Sequence, residues 1–109
     1  MATTFKNKVV TGIGISRQQV LESAANGRIT IVGFSLANLT DGVILVNVEL
    51  QDDTSTTGYY AKDLILPPNT SLRVLNGGEK LILAPSNVLY VNSNTNDSVD
   101  VIISTVEIV

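Results

Sequence analysis

Hydrophobic and polar positions alternate along most of the chain, in short runs that turn residues separate. Val, Ile and Thr dominate these runs, and such β-branched side chains pack well on the pleated surface of a sheet. Alternation with a period of two indicates strands with one buried face, whereas no run shows a helical stripe of useful length. The predicted strands lie at residues 5–12, 28–38, 43–51, 59–66, 71–75, 81–83, 88–93 and 99–109. Residues 18–23 form either a ninth strand or one helical turn.

Eight or nine short strands at even spacing, with no linker and no internal repeat, predict a single domain over residues 1–109. We expect an all-β, antiparallel β-sandwich that resembles a jelly roll. Asn26-Gly27 and Asp41-Gly42 are typical two-residue hairpin turns, because both positions tolerate a positive φ angle. Asn76-Gly77-Gly78 predicts a further tight turn.

The strand at residues 28–38 is apolar on both faces, which indicates a central position in a sheet. We expect one of its faces to meet the alternating apolar face of the next strand in the core. The predicted core residues of the two strands are Val32, Phe34, Leu36, Ile44, Val46, Val48 and Leu50.

The last strand, residues 99–109, contains no Lys, Pro or Gly and carries only Asp100 and Glu107 as charges. A strand of this kind at an exposed sheet edge would pair with other chains. It is therefore either central or covered by a neighbouring subunit, and in the second case Val101 and Ile103 are candidate interface residues.

Tyr59 and Tyr60 are adjacent on a predicted strand, so their rings point to opposite sides of the sheet. Tyrosine is enriched at protein interfaces, which makes both residues interface candidates. The alternative is that one ring lies in the core and the other covers a neighbouring strand.

The composition is unusually apolar for a chain of 109 residues, since 16% of residues are charged and the mean hydropathy is +0.29. A typical domain has about 25% charged residues. We therefore expect partners to cover part of the surface. Because an open contact would propagate into fibres, closed symmetry favours a homo-oligomer, a trimer or a larger ring. The alternative is a dense core beneath a surface of Ser, Thr and Asn.

The net charge of −3 and the scattered positions of the seven basic residues argue against nucleic acid as a partner. No apolar run approaches the length that spans a membrane, so no membrane partner is predicted.

The chain lacks Cys and His, which removes the commonest metal ligands and the commonest general base. Asp52 and Asp53 are the one adjacent carboxylate pair, and their position at the start of a polar loop favours simple solvation. The sequence at Gly77-Gly78-Glu79-Lys80 lacks the spacing of a phosphate-binding loop. We predict no enzyme activity, no catalytic residue and no cofactor.

Oxygen-bearing side chains cluster around one turn and could bind Ca²⁺. They are Asn94, Asn96, Asp97 and Asp100. They do not match the EF-hand pattern, and Asn and Asp favour turns for their own backbone hydrogen bonds. No metal site is predicted.

Several segments resemble small proteins of tailed phages, notably cyanobacterial and marine phages. They are GFSLAN at 33–38, YYAKD at 59–63, LPPNTSL at 66–72, GGEKL at 77–81 and VDVI at 99–102. The similarity runs from about Val10 to the end of the chain. Such proteins are virion structural proteins, so the resemblance implies a place in the virion and other virion proteins as partners, without a catalytic residue to transfer.

Two roles in a virion suit a compact, acidic domain. A decoration or cement protein, bound outside the capsid lattice, is favoured, and the alternative is a component of the neck, tail or fibre base. A carbohydrate-binding module is a third possibility, although five aromatic residues without Trp make a poor platform for sugars.

Overall fold

The computed structural model describes residues 2–75 and 79–108, and the predicted turn at 76–78 lies outside these ranges. The described residues form nine strands and no helix, which confirms the all-β prediction. The strands are β1 Thr3–Ile13, β2 Gln18–Glu22, β3 Arg28–Asn38, β4 Ile44–Gln51, β5 Thr57–Leu66, β6 Ser71–Arg73, β7 Leu81–Leu83, β8 Val88–Ser93 and β9 Val99–Ile108. The segment at 18–23 is thus a strand rather than a helical turn. Because the described residues contain no helix, they contain none long and apolar enough to cross a membrane.

The strands form two antiparallel sheets. In sheet A, β9 lies between β1 and β3, and both β6 and β7 pair with the other side of β3. Sheet B has the order β2-β8-β4-β5. The domain measures 45 × 26 × 21 Å.

The chain crosses between the sheets at most of its connections. It alternates from β1 in sheet A to β2 in sheet B, back to β3 and again to β4, and only the β4–β5 connection joins sequential neighbours in one ladder. Sheet A in the order 1-9-3-6 facing sheet B in the order 2-8-4-5 is the strand order of a jelly roll. The structure therefore confirms the predicted β-sandwich and its jelly-roll character.

The core lies between the two sheets and contains almost entirely aliphatic side chains. Burial of each such side chain contributes about 1.5–3 kcal/mol, which a chain without disulfides needs. The fully buried members with the largest side chains are Ile13, Val20, Ile31, Leu36, Ile44, Val46, Val48, Leu66, Leu83, Leu89, Val91 and Ile103. This list includes most of the core residues that the sequence predicted on β3 and β4.

Val32 is the exception among those predicted core residues. A bulge between Ile31 and Gly33 shifts the register of β3 against β9. Ile31 and Phe34 therefore both point into the core, three positions apart, and Val32 is 47% exposed on the outer side. The prediction for Val32 was wrong because an inserted residue reverses the alternation beyond it. Leu50, at the end of β4, is only partly buried.

The two predicted hairpins are also wrong. Asn26-Gly27 connects β2 to β3, and Asp41-Gly42 connects β3 to β4, yet both connections cross from one sheet to the other. Both sides of β3 are already paired, with β9 on one side and with β6 and β7 on the other. The strands that flank it in sequence therefore have no free edge of β3 to join.

The last strand occupies the centre of sheet A, which is one of the two positions expected for it. One edge of sheet A is β1, which carries Lys6 and Lys8, and β6 and β7 form the other edge. Lysine on an edge strand discourages pairing with other chains.

Candidate interaction surfaces

The outer side of sheet A, which we call the A face, is built from five rows of side chains that run across the strands. Directly paired residues of neighbouring strands point to the same side, so the ladder register defines each row. From one end of the sheet to the other, the rows are Thr3, Ile108, Arg28; Phe5, Val106, Thr30, Ile82; Asn7, Ser104, Gly33; Val9, Ile102, Ser35, Arg73; and Asp100, Ala37, Ser71.

The second and fourth rows make the A face apolar. Phe5 is 80% exposed and Ile82 is 60% exposed in the second row, and Val9 is 58% exposed in the fourth. Ile102 and the bulged Val32 are also exposed. Half of the ten exposed large hydrophobic residues of the described chain therefore lie on this one face. An exposed apolar patch of this kind is typical of a protein contact.

The outer side of sheet B is more polar. Its central row places Glu49 next to Tyr90, and Arg17 lies 4.0 Å above the Tyr90 ring and 3.5 Å from the Glu49 carboxylate. Asn47 pairs with Asn92 in the neighbouring row. The two outer faces of the sandwich thus differ in chemistry, although the outer side of sheet B also exposes Tyr59 and Ile65.

A second candidate surface lies at one end of the sandwich, where four loops are stacked side by side. We call it the four-loop end, and it consists of residues 14–17, 94–98, 39–43 and 67–70 in that spatial order. The start of β1 and the end of β9 lie at the opposite end of the sandwich, where Thr3 pairs with Ile108. Loops on a rigid scaffold are the usual place for binding residues.

Hydrogen bonds join the first loops of the four-loop end to one another. The Ser98 amide donates to the Ile13 carbonyl over 3.0 Å, and the Leu39 amide donates to the Ser98 carbonyl over 2.8 Å. Ser98 is fully buried, and its hydroxyl lies 2.7 Å from the Thr95 carbonyl. The Gly14 backbone passes close to Asn96, since a Cβ atom on Gly14 would lie 3.2 Å from the Asn96 Cα atom.

Asn38 connects the remaining loops. Its side-chain amide donates to the carbonyls of Gly42, Leu66 and Pro67 at 2.9–3.1 Å, and its Oδ1 atom accepts from the Thr40 amide at 2.8 Å. Asn38 is 4% exposed, so these bonds hold the loops at 39–43 and 67–70 together from inside the domain.

This rigid end also exposes apolar side chains. Ile15 is 57%, Leu39 is 48% and Val43 is 59% exposed. Asp41 and Asp97 are exposed in two of the loops. Arg17, the basic residue of these loops, lies over sheet B against Glu49 and Tyr90. The surface therefore combines apolar contacts with the negative charge of Asp41 and Asp97, and its hydrogen bonds order the loops before any partner binds.

The interface candidates on β9 are corrected by the structure. Val101 and Ile103 are 0% exposed and point into the core between the sheets, so a partner of the folded domain cannot reach their side chains. Their neighbour Ile102 is 49% exposed on the A face. Since β9 lies between β1 and β3, its accessible side chains are those that point outward onto the A face.

Tyr59 and Tyr60 point to opposite sides of sheet B, as their adjacency predicts. The Tyr59 ring is 56% exposed, and the Lys62 ammonium lies 5.3 Å from its centre. Tyr60 packs partly against the core, and its hydroxyl donates to the Glu79 carboxylate over 2.7 Å. Burial and the nearby Glu79 charge raise the pKa of Tyr60 to about 12. Tyr59 is thus the more accessible of the two interface candidates.

Backbone amides donate hydrogen bonds to two of the acidic residues named from the sequence, Asp52 in its loop and Asp100 in β9. The Asp52 carboxylate accepts hydrogen bonds from the Thr54 hydroxyl and from the amides of Thr54 and Thr56, and these bonds lower the pKa of Asp52. Asp100 accepts a bond from the Gly12 amide at 3.0 Å. Within residues 2–75 and 79–108, no group of three or more acidic side chains is placed to hold a metal ion.

A groove of about 320 Å³ lies along the open edge of the sandwich beside β1 and β2. Its charged lining is mixed, since Lys6 and Lys8 lie there together with Glu22 and Glu107, and Lys6 pairs with Glu107 at 2.9 Å. This arrangement neither concentrates one charge nor presents a reactive pair.

The organising roles of Asn38 and Ser98 were not predicted from the sequence. Asn38 ends a strand before the Leu39-Thr40-Asp41-Gly42 turn, which was assigned to a hairpin. The only local signal is a polar residue at the end of an apolar strand, and such a residue is usually solvated.

Comparison with models of known protein families finds no match, and comparison with curated proteins finds no significant match.

Proposed function

We propose that the protein is a non-enzymatic structural subunit of a phage particle, a capsid decoration protein that binds the outside of the coat lattice through its four-loop end. The observation that carries this proposal is the exposure of Ile15, Leu39 and Val43 on loops that hydrogen bonds already hold in place.

Rigid loops favour binding because little conformational entropy is lost when a partner orders them. The exposed aliphatic side chains supply apolar contact area, and Asp41 and Asp97 add negative charge beside it. The partner surface that complements this end is apolar with basic groups at its border. A coat-protein surface of that chemistry is the proposed occupant.

The sequence supports the phage assignment through the segments that resemble virion proteins. The jelly roll is compatible with it, because this architecture is common in capsid proteins, although it also occurs in lectins. Fold alone does not define a function, so the binding surface must carry the proposal.

The experiment is co-sedimentation of the purified protein with emptied phage capsids and, separately, with purified tails. The test variant is Leu39→Asp combined with Val43→Asp, and the matched control is Ile65→Asp, which alters a 65% exposed residue on the outer side of sheet B. We expect the parent and the control to sediment with capsids and the double variant to remain in the supernatant.

Three other outcomes of this experiment would change the proposal. Binding to tails alone would replace the decoration role with a neck, tail or fibre-base role. Failure of the parent to bind either component, together with binding to a glycan array, would replace the structural role with carbohydrate binding. Retention of capsid binding by the double variant would exclude the four-loop end as the contact.

A further inference from the structure

The pattern of the A face is nearly symmetric about its third row. On β1, Phe5 and Val9 lie at equal distances on either side of Asn7. On β9, Val106 and Ile102 lie in the same way on either side of Ser104. A rotation that reverses the order of the rows therefore places an apolar residue opposite an apolar residue on both strands.

The third row itself is small and internally satisfied. Gly33 has no side chain, and the Ser104 hydroxyl lies 3.0 Å from Asn7 Oδ1. Beside this row, the bulge in β3 exposes Val32, so the middle of the face also presents an apolar side chain to a second surface. The larger apolar residues of the second and fourth rows then meet on either side.

The charges on the A face follow this reversal in part. Arg73 of one copy faces Ile82 of the other, and Asp100 lies directly opposite Ile108. Arg28 lies in the first row on β3, and Asp100 lies in the fifth row on the adjacent strand β9. Reversing the rows brings Arg28 of one copy to the end of the face that carries Asp100 in the other. A twofold axis parallel to the strands would instead place each row opposite the same row of the other copy. The Arg28 side chains of both copies would then lie at the same end of the interface.

We propose that the A face binds the A face of a second copy of this chain, about a twofold axis that lies along the third row. A twofold axis uses the same patch on both subunits and therefore requires a self-complementary pattern. An unlike partner has no such requirement, so the symmetry of the rows favours the second copy. The inference does not depend on the proposed binding to a capsid.

The size of the face is sufficient for a weak dimer. Four strands about 4.8 Å apart and five rows about 6.8 Å apart span roughly 500 Å². Two copies bury about 1,000 Å² in total, which is near the lower limit for a specific interface. We therefore expect a dissociation constant on the order of micromolar rather than nanomolar. The result is a closed dimer, whereas the sequence favoured a trimer or a larger ring.

The first experiment is sedimentation equilibrium over a wide range of protein concentration. Ile102→Lys places a charge in the fourth row of both copies and is expected to raise the dissociation constant at least about tenfold. Val9→Lys on the neighbouring strand should act in the same direction. Ile65→Lys, on the outer side of sheet B, should leave the dissociation constant unchanged. Circular dichroism melts establish that each variant is folded.

The second experiment tests the orientation of the two copies. Because the chain has no Cys, single cysteines can be introduced without background. In the proposed dimer, position 5 of one copy faces position 9 of the other, whereas the two copies of position 5 lie roughly 14 Å apart along the strands. A short bismaleimide should therefore link a mixture of Phe5→Cys and Val9→Cys more efficiently than either variant alone.

A parent protein that remains monomeric at the highest concentration would overturn the proposal. A dimer that both lysine substitutions leave intact would do the same, because it would use another surface. Equal cross-linking of the mixed and unmixed variants would overturn the twofold arrangement along the third row.

Discussion

Replacing Asn38 with alanine should weaken the whole domain and release two of its loops. The side chain is 4% exposed, and it bonds to Gly42, Leu66, Pro67 and Thr40. An alanine side chain can neither donate nor accept these hydrogen bonds. The carbonyl of Leu66, whose bond to Asn38 is buried, would lose a donor, while the more exposed groups at Gly42 and Pro67 could bind water.

The expected loss of stability follows from these contacts. Two well-formed hydrogen bonds contribute about 1 kcal/mol each, and one unsatisfied buried carbonyl costs about 1–3 kcal/mol. With partial relief by water at the outer carbonyls, Asn38→Ala should lower the free energy of unfolding by about 2–4 kcal/mol. A domain of this size has a total stability of about 5–15 kcal/mol, so the variant should still fold.

Urea denaturation measures this change directly. With an m value of about 2 kcal/mol per molar urea, the midpoint should fall by about 1–2 M while the slope stays constant. Asn92→Ala is the matched control, because Asn92 makes a single long contact of 3.4 Å with the Ile15 carbonyl, and it should cost less than about 1 kcal/mol. An Asn38→Ala midpoint equal to that of the parent would show that Asn38 does not organise these loops.

Three further predictions concern Val46, Gly14 and Tyr60. Val46→Asp puts an unpaired charge at a fully buried site and should prevent soluble folding. A variant that expresses and melts like the parent would show that Val46 does not lie in the core. Gly14→Ala should lower the melting temperature because the added Cβ atom would crowd Asn96 and Asp97. Gly42→Ala, with open space around it, should leave the melting temperature unchanged. Equal melting temperatures for the two variants would contradict this prediction. The raised pKa of Tyr60 stabilises the fold below pH 10, and this contribution should disappear as the pH rises from about 10 to about 12. An absorbance titration of the parent should show an ionisation near pH 12 that Tyr60→Phe lacks.

The sequence was a good guide to the strands and to the class of fold, because both depend on local patterns. Alternation located eight strands within a few residues, and β8 matches its prediction at both ends. It left residues 18–23, which form β2, open between a strand and a helical turn. The length and apolar character of the last strand also indicated a position that is central or covered. These properties are set by the side chains of each segment.

The pairing of strands could not be predicted in the same way. Asn26-Gly27 and Asp41-Gly42 have the chemistry of hairpin turns, but whether a turn closes a hairpin or crosses to the other sheet depends on which edges are free. The edges of β3 are occupied by strands that come much later in the chain. Turn chemistry does not carry that information.

The candidate surfaces were only partly predictable for a related reason. Low charge drew attention to the surface, yet the residues chosen on β9 were the inward pair, because the face that a strand buries depends on register. Val32 was assigned to the wrong side because the bulge in β3 leaves no clear trace in the sequence. The four-loop end requires segments that are more than 50 residues apart to come together, which only the topology specifies.

The most direct test of the account is cryo-electron microscopy of emptied phage capsids to which the purified protein has been added. We expect the domain on the outside of the lattice, with the four-loop end against the coat protein and the A face against a second copy. Capsids that carry no added density, or a domain bound with Leu39 and Val43 facing solvent, would contradict it.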